Sequence, residues 1–222
     1  MYGTLAEVYE FLVPEPLLEP EGSAAAFDAV LDGLPAGAWV LDCACGTGTL
    51  AVGLALRGFV VAASDASRAM VERTRALAAA RGVEVAASVR RWEDLDGGPY
   101  DAVLCVGNSI THAAGAAGRR AALAGMRRVL RDGGLLALTS RNWERPQAAG
   151  EEAVERGGRR ARVRRAWHAG DPPTLEVEVA VEGGATHAET LAYWPFTHAD
   201  LDADLRAAGL APAHSTWSPA WQ

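Results

Sequence analysis

The chain has 222 residues, half of them hydrophobic, enough for one large domain or one domain with a small insert. Its net charge is -7 and all 21 basic residues are arginine, so a nucleic-acid partner is disfavoured. No apolar run reaches membrane-spanning length, and "MYGTLAEVYE" lacks the basic-then-apolar order of a secretory leader, so a cytoplasmic protein with no membrane partner is expected.

In chain order, short apolar runs alternate with helical stretches, the pattern of a mostly parallel sheet. Residues 1–56 hold eight acids and no basic residue. "AWVLDCA" predicts a first strand, and "GTLAVGLALRG" a helix ending near Gly58. "FVVAASDA" predicts a second strand. A helix follows over "RAMVERTRALAAARG", capped by Ser67 and stopped by Gly82. "VEVAAS" and "YDAVLCVG" are the third and fourth strands. "RRAALAGMRRVLRDGG" predicts a helix with Gly133 or Gly134 just past its end, and "LLALTSRN" the fifth strand.

The rhythm then changes. Residues 146–158 read as a connection with room for a short helix. "RARVRRAWHA", "TLEVEVAVEG" and "HAETLAYWPF" read as an antiparallel meander. The alternation of Arg160, Arg162 and Arg164 suits a solvated strand face rather than a polyanion site. "THADLDADLRAAGL" returns to helix with Thr197 as its cap, and "APAHSTWSPAWQ" holds at most one more strand. The expected organisation is an α/β core over 1–145 and 195–222, with an antiparallel β insert over 146–194 acting as a lid.

Cys43, Cys45 and Cys105 lie in apolar, strand-like stretches and read as buried reduced thiols. A C-x-C pair with no His or Cys nearby is a poor zinc site, so no metal is expected.

Between the first strand and first helix, "LDCACGTGTLA" places Gly46 and Gly48 where a backbone turns tightly and approaches a ligand. The second strand ends on Asp65, which can accept hydrogen bonds from a ribose diol. A nicotinamide enzyme needs a pyrophosphate at such a loop. S-adenosylmethionine instead brings an ammonium, a carboxylate and a sulfonium. Asp42, four residues before Gly46, suits the cationic ligand and opposes the pyrophosphate.

Asp42, Gly46, Gly48, Asp65, "YDAVLCVG" and "RDGGLLAL" together resemble the successive motifs of class I S-adenosylmethionine-dependent methyltransferases over roughly residues 38–142. The resemblance implies a Rossmann-like sheet of seven strands, helices on both faces, methyl transfer and release of S-adenosylhomocysteine. By position it implicates Asp42, Ala44, Gly46, Gly48, Asp65, Ala66, Met70, Val106 and Gly107 in holding the cofactor. "RRWEDL" falls where that superfamily contacts adenine, making Trp92 and Glu93 candidates, although Trp92 equally suits a core aromatic.

"LDCACGTGT", "GFVVAASDASRAM", "DAVLCVGNSITH", "RDGGLLALTSRNW" and "LAYWPF" resemble more narrowly the glycine and sarcosine N-methyltransferase group. That resemblance implies a small amino-acid substrate whose carboxylate is held by Asn108 and Arg141. It places Tyr193 and Tyr9 in the pocket and His112 near the cofactor. A guanidinium matches both oxygens of a carboxylate, which supports Arg141 independently. The same residues also suit plainer roles: a surface ion pair for Arg141, a loop histidine for His112, a core aromatic for Tyr193.

This chain departs from the group in three ways. It has no arginine before Arg57 to hold the cofactor carboxylate, Val177 stands where a pocket tyrosine is expected, and the stretch after Ala208 is short for a final hairpin. These favour, as an alternative, a bulkier amine or hydroxyl acceptor of specialised metabolism. A nicotinamide oxidoreductase and a non-catalytic cofactor-binding module are the competing classes. The expected partner is a small-molecule substrate, with homo-oligomerisation left open.

Overall fold

A computed structural model describes residues 4–213. After a 3-10 segment over Leu5–Phe11 come short helices α1 (Pro20–Ala25) and α2 (Asp28–Leu31). The core then alternates: β1 (Trp39–Asp42), α3 (Thr49–Leu56), β2 (Val60–Asp65), α4 (Arg68–Ala80), β3 (Val85–Val89), β4 (Tyr100–Cys105), α5 (Gly115–Val129) and β5 (Leu130–Leu138). These strands form one parallel sheet in the order β3-β2-β1-β4-β5. A second sheet is an antiparallel meander of β6 (Gly150–Arg156), β7 (Arg159–His168), β8 (Thr174–Val181) and β9 (Thr186–Ala192). Helix α6 (His198–Ala207) follows.

The Rossmann-like class expected from the alternation is what forms, with helices on both faces of the parallel sheet. Its size differs from the resemblance, for the described residues give five parallel strands rather than seven. β1 and β4 are apolar almost throughout because both faces are covered. On one face Val40, Val61, Ala102 and Leu104 pack with α3 and α1; on the other Leu41, Val103 and Cys105 pack with α5.

Three local expectations are corrected. Ser67 stands at the N-cap of α4, but its hydroxyl makes no capping bond. Its backbone N–H instead donates to Asp65 Oδ1 at 2.8 Å, so the carboxylate does the local work. Helix α5 stops at Val129, before Gly133. Leu130 already pairs with Tyr100 in β5, and the register then shifts across a bulge. Gly133, with φ of +72°, bends the strand there rather than ending the helix. Residues 146–158 contain strand β6 rather than a helix. They supply Glu151 and Glu155, which pair with Arg162 and Arg160 of β7. The Thr197 cap forms as expected, in a capping box with Asp200. The last predicted strand falls largely on residues 214–222, outside the described residues.

The N-terminal segment closes the second sheet. Leu5, Val8 and Phe11 pack with Val163, Leu175, Val177, Val179 and Leu191. Val177, at the missing tyrosine position, is therefore part of this core. At the other end Arg119 of α5 meets Asp204 of α6 at 2.6 Å, both buried, with the Arg119 guanidinium over the Phe196 ring. Removing one partner of a buried pair strands the other charge. Asp204→Ala is expected to cost about 3–5 kcal/mol in chemical denaturation, against well under 1 kcal/mol for loss of an exposed pair such as Arg206–Asp202.

Candidate active site

The glycine loop and both acids meet at the carboxyl end of the parallel strands. Asp42 is 1 % exposed at the end of β1, and Asp65 ends β2. Gly48 has a φ of +88° and lies so near α4 that a Cβ would come within 2.8 Å of Thr74. Thr74 in turn donates to the Gly46 carbonyl at 3.0 Å. Only glycine fits that approach, so the motif is fixed by packing as well as by any ligand.

The loop's amides are already engaged. Ala44 N–H donates to Asp42 Oδ1, Gly46 N–H to Asp65 Oδ2, and Gly48 N–H to the Cys45 carbonyl. Amides committed to carboxylates do not cradle a pyrophosphate. Burial, with Asp65 nearby, pushes the Asp42 carboxyl up to about 7. Burial also raises Asp65, against the hydrogen bonds from Ser67 and Gly46. Two desolvated acids close together favour a cation between or beside them. The residues present thus fit S-adenosylmethionine and oppose a nicotinamide dinucleotide.

The remaining cofactor candidates surround this loop to different degrees. Trp92 donates its indole N–H to the Cys43 carbonyl at 2.9 Å and packs on the α5 side of the core, while Glu93 is exposed. Met70 is buried and Ala66 exposed. Val106 is half-buried and Gly107, with φ of +72°, donates its N–H to Thr139 at 2.9 Å.

The second group converges beside the first. β4 and β5 are neighbours, so Asn108 and Arg141 emerge together beyond their ends. Asn108 adopts φ of +69°, a left-handed conformation that asparagine tolerates better than most residues. Its side-chain oxygen accepts the Arg141 backbone N–H at 2.8 Å, so Asn108 first of all fixes Arg141. Arg141 is half-buried, forms none of the ion pairs among the described residues, and has a buried Nε without a hydrogen-bond partner.

His112 and Tyr193 stack at 4.5 Å between ring centroids. His112 Nδ1 lies 3.0 Å from the Ala192 carbonyl. A carbonyl only accepts, so Nδ1 carries the proton and Nε2 of the neutral ring is the basic nitrogen. Burial, and to a lesser degree the Arg141 charge, hold the His112 pKa below the ordinary imidazole value. Tyr193 is itself buried. The Tyr9 phenol is pushed up to about 12 by burial, then by the charges of Asp65 and Tyr193.

Two residues outside the predicted set join them. Trp143 lies 5.5 Å and Trp167 5.2 Å from the Tyr193 ring, and the two indoles meet edge-on at 5.7 Å. Trp143 stands two residues past Arg141 in "SRNW", a signal that was present. Trp167 had none, because only the folding of β7 brings it there. The arginine run lies elsewhere: Arg160, Arg162 and Arg164 each pair with glutamates on the second sheet.

Residues 40–134 match a family model described as "Methyltransferase domain". A stretch of 121 residues, 53 % of this chain, is 39 % identical to a glycine/sarcosine N-methyltransferase of Parasynechococcus marenigrum and covers 43 % of it. The chain thus spans less than half the length of that relative. Among solved structures, an S-adenosylmethionine-bound amino pentose methyltransferase of Micromonospora echinaspora is 25 % identical, with a TM-score of 0.71 over 94 % of this chain and 89 % of that one. A sugar N-methyltransferase of Streptoalloteichus is also 25 % identical, with a TM-score of 0.68 over 95 % and 85 %. Residues 40–134 therefore carry a methyltransferase domain, and the chain has the fold of class I S-adenosylmethionine-dependent methyltransferases. Among the described residues, no helix is long and apolar enough to cross a membrane.

The raised Asp42 pKa has a consequence for stability. Between the ordinary carboxylate pKa and about 7, folded Asp42 holds a proton that the unfolded chain has lost. Stability therefore falls as pH rises through that window, by up to roughly 4 kcal/mol. Asp42→Asn is expected to flatten this dependence. In thermal unfolding without cofactor, the variant gains on the native chain from pH 5 to pH 8; a constant difference would show that Asp42 is ionised throughout.

Proposed function

We propose that this protein is an S-adenosylmethionine-dependent methyltransferase acting on the nitrogen of a small amino-acid-like amine, of the glycine or sarcosine type. The observation that carries the reading is Arg141, a half-buried guanidinium without an acidic partner among the described residues, anchored by Asn108 beside His112 and Tyr193. Its planar donors suit a carboxylate. The likeness to the glycine/sarcosine N-methyltransferase of P. marenigrum supports it.

S-adenosylmethionine supplies a methyl on a sulfonium, already a good leaving group. No strong base is needed, so the protein's part is alignment and exclusion of water. Asp42 and Asp65 offset the cofactor's positive charge, and the glycine loop gives it room. Arg141 and the Asn108 amide hold the substrate carboxylate and turn the amine lone pair toward the methyl. Accepting the methyl that the bound cofactor would supply would leave the substrate nitrogen acidic. His112 Nε2, kept neutral by burial, accepts that proton. Tyr9 and Tyr193 line the same crevice, and the second sheet covers it.

A second reading, N-methylation of an amino sugar, is favoured by a different observation. The Trp143, Trp167 and Tyr193 rings cluster beside His112, aromatic faces of the kind that stack on sugar rings, and the two sugar-type neighbours match nearly the whole chain.

Mass spectrometry of reactions with S-adenosylmethionine and glycine, sarcosine, dimethylglycine or an amino hexose separates the readings. The amino-acid reading expects one methyl mass on glycine or sarcosine, and a loss of about a hundredfold or more in kcat/KM for Arg141→Ala. Product on the amino hexose alone, unaffected by Arg141→Ala, would overturn it. The lowered His112 pKa gives a pH prediction. A neutral acceptor persists through neutrality, so kcat falls only below the ordinary imidazole range. His112→Gln should lower kcat and remove that limb; an unchanged profile would exclude His112 as proton acceptor.

A further inference from the structure

Trp143 carries a feature that the proposed reading leaves unexplained. Its indole nitrogen is buried and has no hydrogen-bond partner, as has Nε of Arg141 two residues earlier. Burying such donors unpaired is unfavourable. The neighbouring indoles show the ordinary solution: Trp92 donates to the Cys43 carbonyl at 2.9 Å, and Trp167 to the Ala148 carbonyl at 3.1 Å.

The segment bearing the two donors is fixed at both ends. Arg141 N–H is held by Asn108, and past it the Asn142 side chain accepts Glu144 N–H at 3.0 Å while the Asn142 carbonyl accepts from Gln147 at 2.9 Å. The Trp143 ring is fixed by Tyr193 and Trp167. Tyr193 stacks on His112, and His112 feels the Arg141 charge. Both unpaired donors therefore belong to residues around one His112–Tyr193 pair.

We propose that Trp143 Nε1 and Arg141 Nε converge on the acceptor substrate's carboxylate, making Trp143 a second, neutral donor of the anion clamp and a determinant of substrate class. The inference rests on the amino-acid reading above. A neutral N–H adds a directed donor without adding charge, so together with the guanidinium it matches the two oxygens of a carboxylate.

Trp143→Phe keeps a ring against Tyr193 and Trp167 but removes the N–H. With sarcosine and saturating S-adenosylmethionine, KM should rise about tenfold with a much smaller change in kcat. Affinity for S-adenosylhomocysteine and Tm should hold, because the lost donor had no partner in the protein. A fall in Tm with KM unchanged would mean that Trp143 only packs, and would overturn the proposal.

A second measurement does not depend on turnover. In 15N-labelled protein loaded with S-adenosylhomocysteine, the indole resonance absent from Trp143→Phe is titrated with sarcosine and with acetate. A saturable shift to lower field with both supports the subsite, even if no amino acid is methylated and the amino-acid reading falls. No shift with either probe would mean that water satisfies the N–H, and would overturn the subsite whatever the enzyme methylates.

Discussion

In the parallel register Asp42 of β1 lies beside Leu104 of β4, and Cys105 of β4 beside Leu138 of β5. The glycine loop, its acids and the Asn108–Arg141 pair all hang on that pairing. It makes the strands end together, so the residues just beyond them, Gly46, Asn108 and Arg141, leave the sheet at one edge. A slip of one residue would turn Asp42 and its neighbours to the opposite faces. The register is held by continuous apolar runs that both faces of the sheet require: Val40, Leu41, Ala102, Val103 and Leu104 are all buried.

That edge is then made electrically unusual. Asp42 is removed from water by the packing that makes β1 a central strand, and Asp65 approaches it because β2 is its neighbour. Their free oxygens are not simply open. Each also takes a backbone N–H of the glycine loop, which holds the loop in shape and spends the amides an anionic ligand would need. The preference for a cationic cofactor is thus a property of the loop and the two acids together.

The second sheet contributes what the first cannot. Tyr193 follows β9, and the Trp194 N–H that comes next donates to the Thr111 carbonyl at 2.9 Å, beside His112. This backbone bond and the His112 contact with the Ala192 carbonyl link the meander to the loop after β4. The N-terminal segment clamps the other side, with Thr4 donating to the Ala188 carbonyl at 3.2 Å and Arg73 of α4 donating to the Ala6 carbonyl. Between these ties the aromatic residues Tyr9, His112, Trp143, Trp167 and Tyr193 occupy one region, though they come from five separate stretches.

The sequence alone determined the parallel α/β core, the glycine loop and its acids, and the meander after β5. These are local signals: apolar runs of strand length, glycines where only glycine fits, and charges at fixed offsets from them. It misplaced the end of α5, because Gly133 reads as a helix stop when the pairing of Leu130 with Tyr100 is unseen. It missed β6, whose Glu-rich pattern acquires a strand's character only beside the arginines of β7. Only the tertiary structure decided that Asn108 grips the Arg141 backbone, that Arg141 keeps a buried donor unpaired, and that Trp143 and Trp167 meet at Tyr193. The reason is physical: burial and hydrogen-bond satisfaction are properties of surroundings, and those surroundings are assembled from residues far apart in the chain.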